Sequence, residues 1–279
     1  MAGDDRHGSS QGPRRLLEAG AEKVLGASGT AVTVENVNRS GPFRDTASSS
    51  AAVNRQLAAA VQRAVSGPQL PVIIAGSCVA SHGALAGFNH ARCGAVWLDA
   101  HADFNTPDST TSGYFPGMSL AVITGHCFGD YWAQIGDSTP LAEEQIVMLG
   151  VRSLSPKSER DRLDKSAIEV VPWVNGTPEG DVQKALDRLR RRVDDVYLHV
   201  DMDAFDPGVA PGVVDEPVPG GLSLGDAERI IRATGTAFRI RAVTLATFNP
   251  ENDRDDRTLR AALRILELVG EWASAADPG

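Results

Sequence analysis

Residues 95–103 read A-V-W-L-D-A-H-A-D, an apolar run that ends in two aspartates and a histidine. A second stretch, V-Y-L-H-V-D-M-D at 196–203, has the same design. Apolar runs without alternation are typical of strands that are buried on both faces, as in a parallel sheet covered by helices. The acidic residues then fall at the carboxyl ends of two strands, which is where open α/β sheets bind ligands.

Strand-like and helical patterns alternate along the rest of the chain. The strand-like runs are 31–37, 72–75, 95–98, 146–149, 168–171, 196–200 and 242–245. The helical patterns are 13–25, 50–65, 79–88, 117–125, 179–193, 224–234 and 256–275. This alternation predicts a three-layer α/β/α fold with a mainly parallel sheet. No linker or repeat divides the series, so we expect one domain over residues 1–279, with residues 1–12 disordered.

Composition excludes several classes of function. The net charge of −9 and the lack of a basic stripe argue against a nucleic-acid partner. No apolar stretch reaches the roughly 20 residues that a membrane span needs, and residues 1–12 lack the apolar core of a signal peptide. The three cysteines, Cys78, Cys93 and Cys127, form no C-x-x-C pair. We therefore expect a cytoplasmic protein without disulfides and without a membrane partner.

The two acidic clusters indicate a metal site. Alternate residues of a strand share a face, so Asp99, His101 and Asp103 are expected to point the same way. Asp201 and Asp203 form a second such set. Four carboxylates and an imidazole repel one another or compete for protons unless cations lie between them. Oxygen and imidazole donors suit divalent metals, so the sequence predicts one or two metal ions and a metal-dependent enzyme.

Together, D-A-H-A-D-F-N-T-P at 99–107 and D-M-D-A-F-D-P at 201–207 resemble the arginase–agmatinase (ureohydrolase) family. G-G-L-S at 220–223 and F-N-P at 248–250 follow in the expected order. The resemblance implies an arginase-like fold and a binuclear manganese centre that activates a bridging hydroxide. It also implies a small guanidino or amidino substrate and a possible homo-oligomer.

The resemblance also implies a role for each residue of the clusters. Asp99 and Asp201 would bridge the two metals. Asp103 would complete the ligands of the first metal, and His101 and Asp203 would bind the second. Asp103 would in addition lie beside the hydroxide, as the catalytic residue that handles the proton.

Two positions near these ligands depart from the family pattern. The segment A-G-S-C-V at 75–79 places Cys78 where the family has a histidine ligand. We expect Cys78 to bind metal with a pKa lowered by the following helix, which makes zinc or iron possible beside manganese. A small buried hydrophobe is the alternative. His199 replaces a small polar residue, and we expect it to support a ligating carboxylate, or else to be a satisfied core histidine.

Other departures concern proton transfer and substrate binding. In T-T-S-G-Y-F-P-G at 110–117, Pro116 stands where arginases carry a proton-shuttling histidine. Asp103 or solvent would then have to protonate the leaving group, which implies a slow enzyme or a substrate with a better leaving group.

The residues that hold the substrate differ as well. Thr247 replaces the glutamate that binds the guanidinium in arginases, and Ser153 and Ser155 replace acidic residues that bind the α-amino group. These losses argue against ordinary arginine. Asn105 and Ser112 are retained, and in arginases such residues bind the substrate carboxylate, although stabilising the loop is an alternative role.

Three functional hypotheses follow. The leading one is a binuclear-metal hydrolase that cleaves a C–N bond of a guanidino or amidino compound, with an N-hydroxyguanidino amino acid favoured over L-arginine. The second is a non-catalytic paralogue that binds a metabolite, for which Cys78, Pro116 and Thr247 are the evidence. The third is a metal-dependent amide hydrolase, because deacetylases share the topology of this family.

Overall fold

The computed structural model describes residues 8–39, 41–88, 92–214 and 217–276. The strands in these ranges are β1 (Val72–Ile74), β2 (Cys93–Leu98), β3 (Ile146–Leu149), β4 (Glu169–Val171), β5 (Trp173–Val174), β6 (Thr177–Pro178), β7 (Asp195–Asp201) and β8 (Arg239–Ala246). The helices are α1 (Gly12–Glu18), α2 (Ala21–Leu25), α3 (Thr46–Ser66), α4 (Ala80–Ala86), α5 (Ser119–Ile123), α6 (Gly129–Ile135), α7 (Lys157–Leu163), α8 (Val182–Arg190), α9 (Leu224–Ala237) and α10 (Arg257–Ala276). None of these helices is long and apolar enough to cross a membrane.

Six strands form one parallel sheet in the order β1-β8-β7-β2-β3-β4, and β5 pairs with β6 in a small antiparallel ribbon. Alternate residues of β2 enter different cores. Val96 and Leu98 pack against the helices of one face, and Ala95 and Trp97 pack against those of the other. This division into two apolar layers around a sheet confirms the predicted three-layer α/β/α fold.

The register of β2 against β7 determines where the acidic residues meet. Trp97 pairs with His199, and Leu98 pairs with Val200. Because both strands run in the same direction, the next residues, Asp99 and Asp201, emerge side by side at the same edge of the sheet.

The N-terminal part differs from the prediction in three respects. Residues 31–37 form no strand and lie mostly exposed, separated from β1 by a groove of about 1550 Å³. β-propensity reflects packing against neighbours, and this short, half-polar run gains little from it. The helix predicted at 13–25 is divided into α1 and α2 at Gly20, whose φ is 98°. Residues 8–12 are ordered, whereas the expected disorder of residues 1–7 lies outside the described residues.

Arg152 lies in the loop after β3 and holds the neighbouring long loop after β7 in place. Its guanidinium donates hydrogen bonds of 2.8–3.1 Å to the carbonyls of Gly150, Asp203, Ala204, Phe205 and Val218. One side chain therefore satisfies carbonyls on both arms of the loop, and one of these carbonyls belongs to the second acidic cluster.

The position of the Arg152 guanidinium also explains the second glycine of the G-G-L-S segment at 220–223. A side chain on Gly221 would begin 2.6 Å from Nη2 of Arg152, so the chain needs glycine there. Ser223 then starts α9 through a reciprocal capping box with Asp226. The segment thus closes the loop against Arg152 and begins the next helix.

We predict that Arg152→Met lowers the free energy of unfolding by about 3 kcal/mol, because the buried carbonyls lose their donor. Urea unfolding measures the change. Arg188→Met is the matched control, since its guanidinium pairs with Glu169 at the surface and such pairs contribute at most about 1 kcal/mol. Equal effects of the two substitutions would contradict the proposed role of Arg152 in stabilising the loop after β7.

Candidate metal centre

Backbone turns direct the two aspartates that follow the strands. The amide of His101 donates to Oδ1 of Asp99 at 2.7 Å, and the amide of Asp203 donates to Oδ1 of Asp201 at 2.7 Å. Each carboxylate thus accepts a bond from the residue two positions later, as in an Asx turn. Trp97 Nε1 fixes the second oxygen of Asp99 at 3.0 Å. The equivalent turns leave both aspartates buried and directed toward the same pocket.

The structure brings Cys78, Asp99, His199 and Asp201 together as a first cluster, all of them buried. One donor atom of each lies within 4.8 Å of the others. The Cys78 thiol donates to Oδ2 of Asp201 at 2.8 Å. Cys78 lies in the turn after β1, so the cluster joins the carboxyl ends of β1, β2 and β7.

Asp99, His101 and Asp203 form a second cluster next to the first. Nδ1 of His101 lies 3.1 Å from Oδ2 of Asp203 and 3.5 Å from Oδ1 of Asp99. The amide of Ala100 donates to the other oxygen of Asp203 at 3.1 Å. Asp99 belongs to both clusters, which therefore form one continuous site, called the pocket below.

The pocket holds more carboxylates than its one charged imidazole, that of His101, can compensate. Burial and then the charge of Asp203 raise the pKa of Asp99 to about 7, and the same two causes raise that of Asp201. Burial disfavours the imidazolium of His101, yet Asp203 prevails and raises its pKa to about 12. Burial also opposes ionisation of Asp203, yet His101 prevails and lowers its pKa to about 2. His101 thus compensates Asp203, and the other carboxylates need protons or cations.

Two buried polar atoms also indicate that the pocket suits cations. Nε2 of His199 and Oδ2 of Asp103 are buried and have no hydrogen-bond partner among the described residues. Buried polar atoms are nearly always satisfied by protein, water or an ion. Carboxylates, imidazoles and a thiol are also the groups that bind divalent metals. The residues present therefore fit two metal ions.

Asp103 does not lie where strand alternation predicts. β2 ends at Leu98, so residues 99–103 lie in the loop after the strand. Asp103 itself has a φ of 49°. It is part of neither cluster. Burial and then Asp99 raise the pKa of its carboxyl. Its assignment as a ligand and as the catalytic residue stays a prediction, supported by the unpartnered Oδ2.

The predicted lowering of the Cys78 pKa is wrong. Burial and then the neighbouring Asp201 raise the pKa of the thiol well above its usual value. α4 begins only at Ala80, and it is too short to offset these effects. A cation would have to be present to keep Cys78 as a thiolate.

His199 is held on two sides. Its Nδ1 lies 3.0 Å from the hydroxyl of Tyr197, and its ring stacks on Trp97 with centroids 3.8 Å apart. Burial lowers its pKa to about 3, so the imidazole is neutral. Its hydrogen bond goes to a tyrosine and not to a carboxylate, in contrast to the support that we expected.

Asn105 and Ser112 participate in loop structure. The Asn105 amide donates to the carbonyl of Ser155 at 3.1 Å and accepts a bond from Ser109. Ser112 is exposed, and its hydroxyl accepts from the amide of Tyr114 at 3.2 Å. These contacts agree with the loop-stabilising alternative, and a contact with substrate stays a prediction.

Thr247 lies in the pocket itself. Its hydroxyl is within hydrogen-bond distance of Asp201 and accepts from the amide of Met202 at 3.2 Å. Its φ is 69°, which is unusual for a β-branched residue.

Pro116, at the position of the missing histidine, is buried at the start of a 3₁₀ turn.

Sequence reasoning missed Glu159 as an organising residue. Its carboxylate accepts hydrogen bonds from the amides of Phe104 at 3.1 Å and Ser155 at 3.0 Å, which joins the loops after β2 and β3. Glu159 and Arg152 each have a partner in a distant loop, Phe104 and Asp203, so no local pattern reveals them.

Comparisons with known proteins agree with this geometry. A sequence model described as the Arginase family matches residues 1–269. An arginase of Bacillus caldovelox is 32% identical over 229 residues, which cover 79% of this chain and 75% of that protein. An N(omega)-hydroxy-L-arginine amidinohydrolase of Streptomyces lavendulae is 30% identical over 219 residues, which cover 78% and 74%.

Similarity of structure extends over more of the chain. The native structure of an arginase from Bacillus caldovelox superposes with a TM-score of 0.80 at 28% identity, and the match covers 93% of this chain and 91% of that one. A Bacillus subtilis arginase structure gives a TM-score of 0.83 at 28% identity, with the same coverage of both chains. The parallel sheet, the acidic pocket at its carboxyl edge and these matches lead to one conclusion: the chain belongs to the arginase family.

Proposed function

We propose that this protein is a metal-dependent amidinohydrolase that cleaves a C–N bond of a modified guanidine, with an N-hydroxyguanidino amino acid favoured over L-arginine. The observation that carries the proposal is the buried pocket in which Asp99 is shared by two groups of metal-binding side chains. Its position at the carboxyl edge of the sheet and the membership of the arginase family support the same reading.

As the family resemblance implies, Asp99 and Asp201 would be shared by two ions; in the structure Asp99 belongs to both groups of candidate ligands and Asp201 to the first. Cys78 and Asp103 would complete one position, and His101 and Asp203 would complete the other. When bound, two divalent cations would supply Lewis acidity, which lowers the pKa of bound water and stabilises charge on a reacting oxygen. Manganese is the usual ion of the family, and the sulfur of Cys78 also makes zinc or iron suitable.

Asp103 is our candidate for proton transfer. Its unpartnered Oδ2 can hold a proton, and burial together with the charge of Asp99 raises the pKa of the carboxyl, which favours the protonated form. Pro116 cannot carry a proton, so the route that a histidine would offer at this position is absent. The transfer to the leaving amine then depends on Asp103 or on solvent.

The proposed substrate follows from the acidic substrate-binding residues of arginases that this chain lacks. An N-hydroxyguanidine is less basic than a guanidine, because its oxygen withdraws electron density from the amidine nitrogens. It can therefore bind as a neutral group, without a carboxylate opposite to it. Thr247, Ser153 and Ser155 offer hydroxyls at positions where arginases carry acids. The similarity to the Streptomyces lavendulae enzyme, which is named for N(omega)-hydroxy-L-arginine, supports this choice.

We predict that the protein, loaded with manganese, iron or zinc, hydrolyses Nω-hydroxy-L-arginine with a higher kcat/KM than L-arginine, agmatine, guanidinobutyrate or formiminoglutamate. Release of the amine product measures turnover. Asp99→Asn is the control, because it removes the carboxylate that belongs to both clusters. Turnover of none of these compounds would favour the metabolite-binding alternative, to which Pro116 points. A preference for L-arginine would contradict the proposed substrate.

We further predict that Thr247→Glu shifts specificity toward L-arginine. A carboxylate at this position would pair with the guanidinium, and hydrogen bonds to charged groups contribute about 1.5–3 kcal/mol, so the ratio of kcat/KM for L-arginine to that for Nω-hydroxy-L-arginine should rise about tenfold or more. Thr247→Gln has a similar size without the charge and should leave the ratio near that of the wild type. A similar shift in both variants would show that charge is not the cause. Metal content is measured for both, since Thr247 contacts Asp201.

A further inference from the structure

We infer that His199 is itself a metal ligand and that it makes one of the two metal positions, the one at Cys78, selective for zinc or ferrous iron over manganese. The inference rests on the proposed function in that it requires metal to bind in this pocket. It concerns a residue for which the family pattern gives no ligand role.

The first argument is the position of the imidazole. His199 and Asp201 are alternate residues of β7 and therefore share a face of the sheet. A ring nitrogen of His199, the sulfur of Cys78 and an oxygen from each of Asp99 and Asp201 lie within 4.8 Å of one another. Sulfur, imidazole nitrogen and carboxylate oxygen are the donor types that zinc binds in proteins.

The second argument is the different hydrogen bonding of the two ring nitrogens of His199. Nδ1 of His199 is hydrogen-bonded to the Tyr197 hydroxyl at 3.0 Å, whereas Nε2 is buried without a partner among the described residues. When Nδ1 carries the proton and donates it to the hydroxyl, Nε2 presents a lone pair. Metal-binding histidines usually have this arrangement, in which the second nitrogen donates to a fixed acceptor.

The third argument is rigidity. The His199 ring stacks on Trp97 with an angle of 17° between the planes, and Nε1 of the same tryptophan donates to Asp99. One side chain therefore fixes both the imidazole and a carboxylate of the same cluster. A histidine that only filled core space would not need a buried nitrogen without a hydrogen-bond partner beside three other potential metal ligands.

The donor sets of the two positions differ. Cys78 and His199 bring sulfur and nitrogen to one position, next to two carboxylates. The other position, at His101 and Asp203, has one nitrogen and otherwise oxygen donors. Thiolate and imidazole together favour zinc or iron, whereas oxygen-rich sites suit manganese. The first zinc ion that binds should therefore occupy the Cys78 position.

X-ray absorption of the full-length protein loaded with one molar equivalent of zinc tests the inference. In the wild type we expect one sulfur and one imidazole in the zinc shell. In His199→Asn, which keeps a hydrogen-bonding group near Tyr197 but removes Nε2, the sulfur should remain and the imidazole should disappear. In the matched control His101→Asn, at a partly exposed position, the shell should equal that of the wild type.

Metal affinity gives a second readout. Loss of a group that merely orients a ligand costs about 10–100-fold in affinity, so His199→Asn should weaken zinc binding by about 100-fold or more and manganese binding at the other position far less. With cobalt as a probe, Cys78→Ser should abolish the thiolate-to-cobalt charge-transfer band, and His101→Asn should retain it.

Several results would overturn the inference. They are a wild-type zinc shell without imidazole or without sulfur, an imidazole that persists in His199→Asn, and an imidazole that is lost in His101→Asn. The wild-type and His101→Asn measurements decide the question even when the buried His199 position tolerates no substitution. Failure of the proposed function is separate: the predicted zinc shell in a protein that hydrolyses no guanidine would support the inference and refute the function.

Discussion

Asp99 and Asp201 lie buried side by side because β2 and β7 run parallel in a register that pairs Leu98 with Val200. Two carboxylates in this position repel one another, and the rest of the pocket depends on how that repulsion is relieved. Amides of the two Asx turns, the Trp97 indole and the Cys78 thiol each donate to one of these carboxylates. These neutral donors lessen the repulsion without cancelling the charge, so cations have a place that the fold itself creates.

The parts of this arrangement that depend on local pattern could be predicted from the sequence. Apolar runs followed by acids predicted the buried strands and the edge of the sheet at which the acids meet. Asp103 could not be placed in this way, because alternation applies only within a strand and β2 ends before it. The strand expected at 31–37 did not form, since a strand requires a partner that propensity does not supply. Arg152 and Glu159 act across loops, and their partners become apparent only in three dimensions.

Three of the residues that depart from the family pattern are close together in space. Cys78 and Thr247 both contact Asp201, and His199 precedes it by two residues on the same face of β7. Changes that are far apart in the sequence therefore meet around a single carboxylate. Under the proposed function, the preference for a metal and the preference for a substrate would not be independent, because the carboxylate of Asp201 would affect both.

The shortness of β1 has a consequence for association between molecules. An edge strand exposes unpaired amides and carbonyls, which can template pairing with another chain. β1 is the terminal strand of the described sheet and has three residues, and residues 31–37 do not cover it. A foreign strand could form only a few backbone hydrogen bonds along so short an edge. Brevity thus protects this side of the sheet from aggregation, in place of the cover that a longer neighbouring strand would have provided.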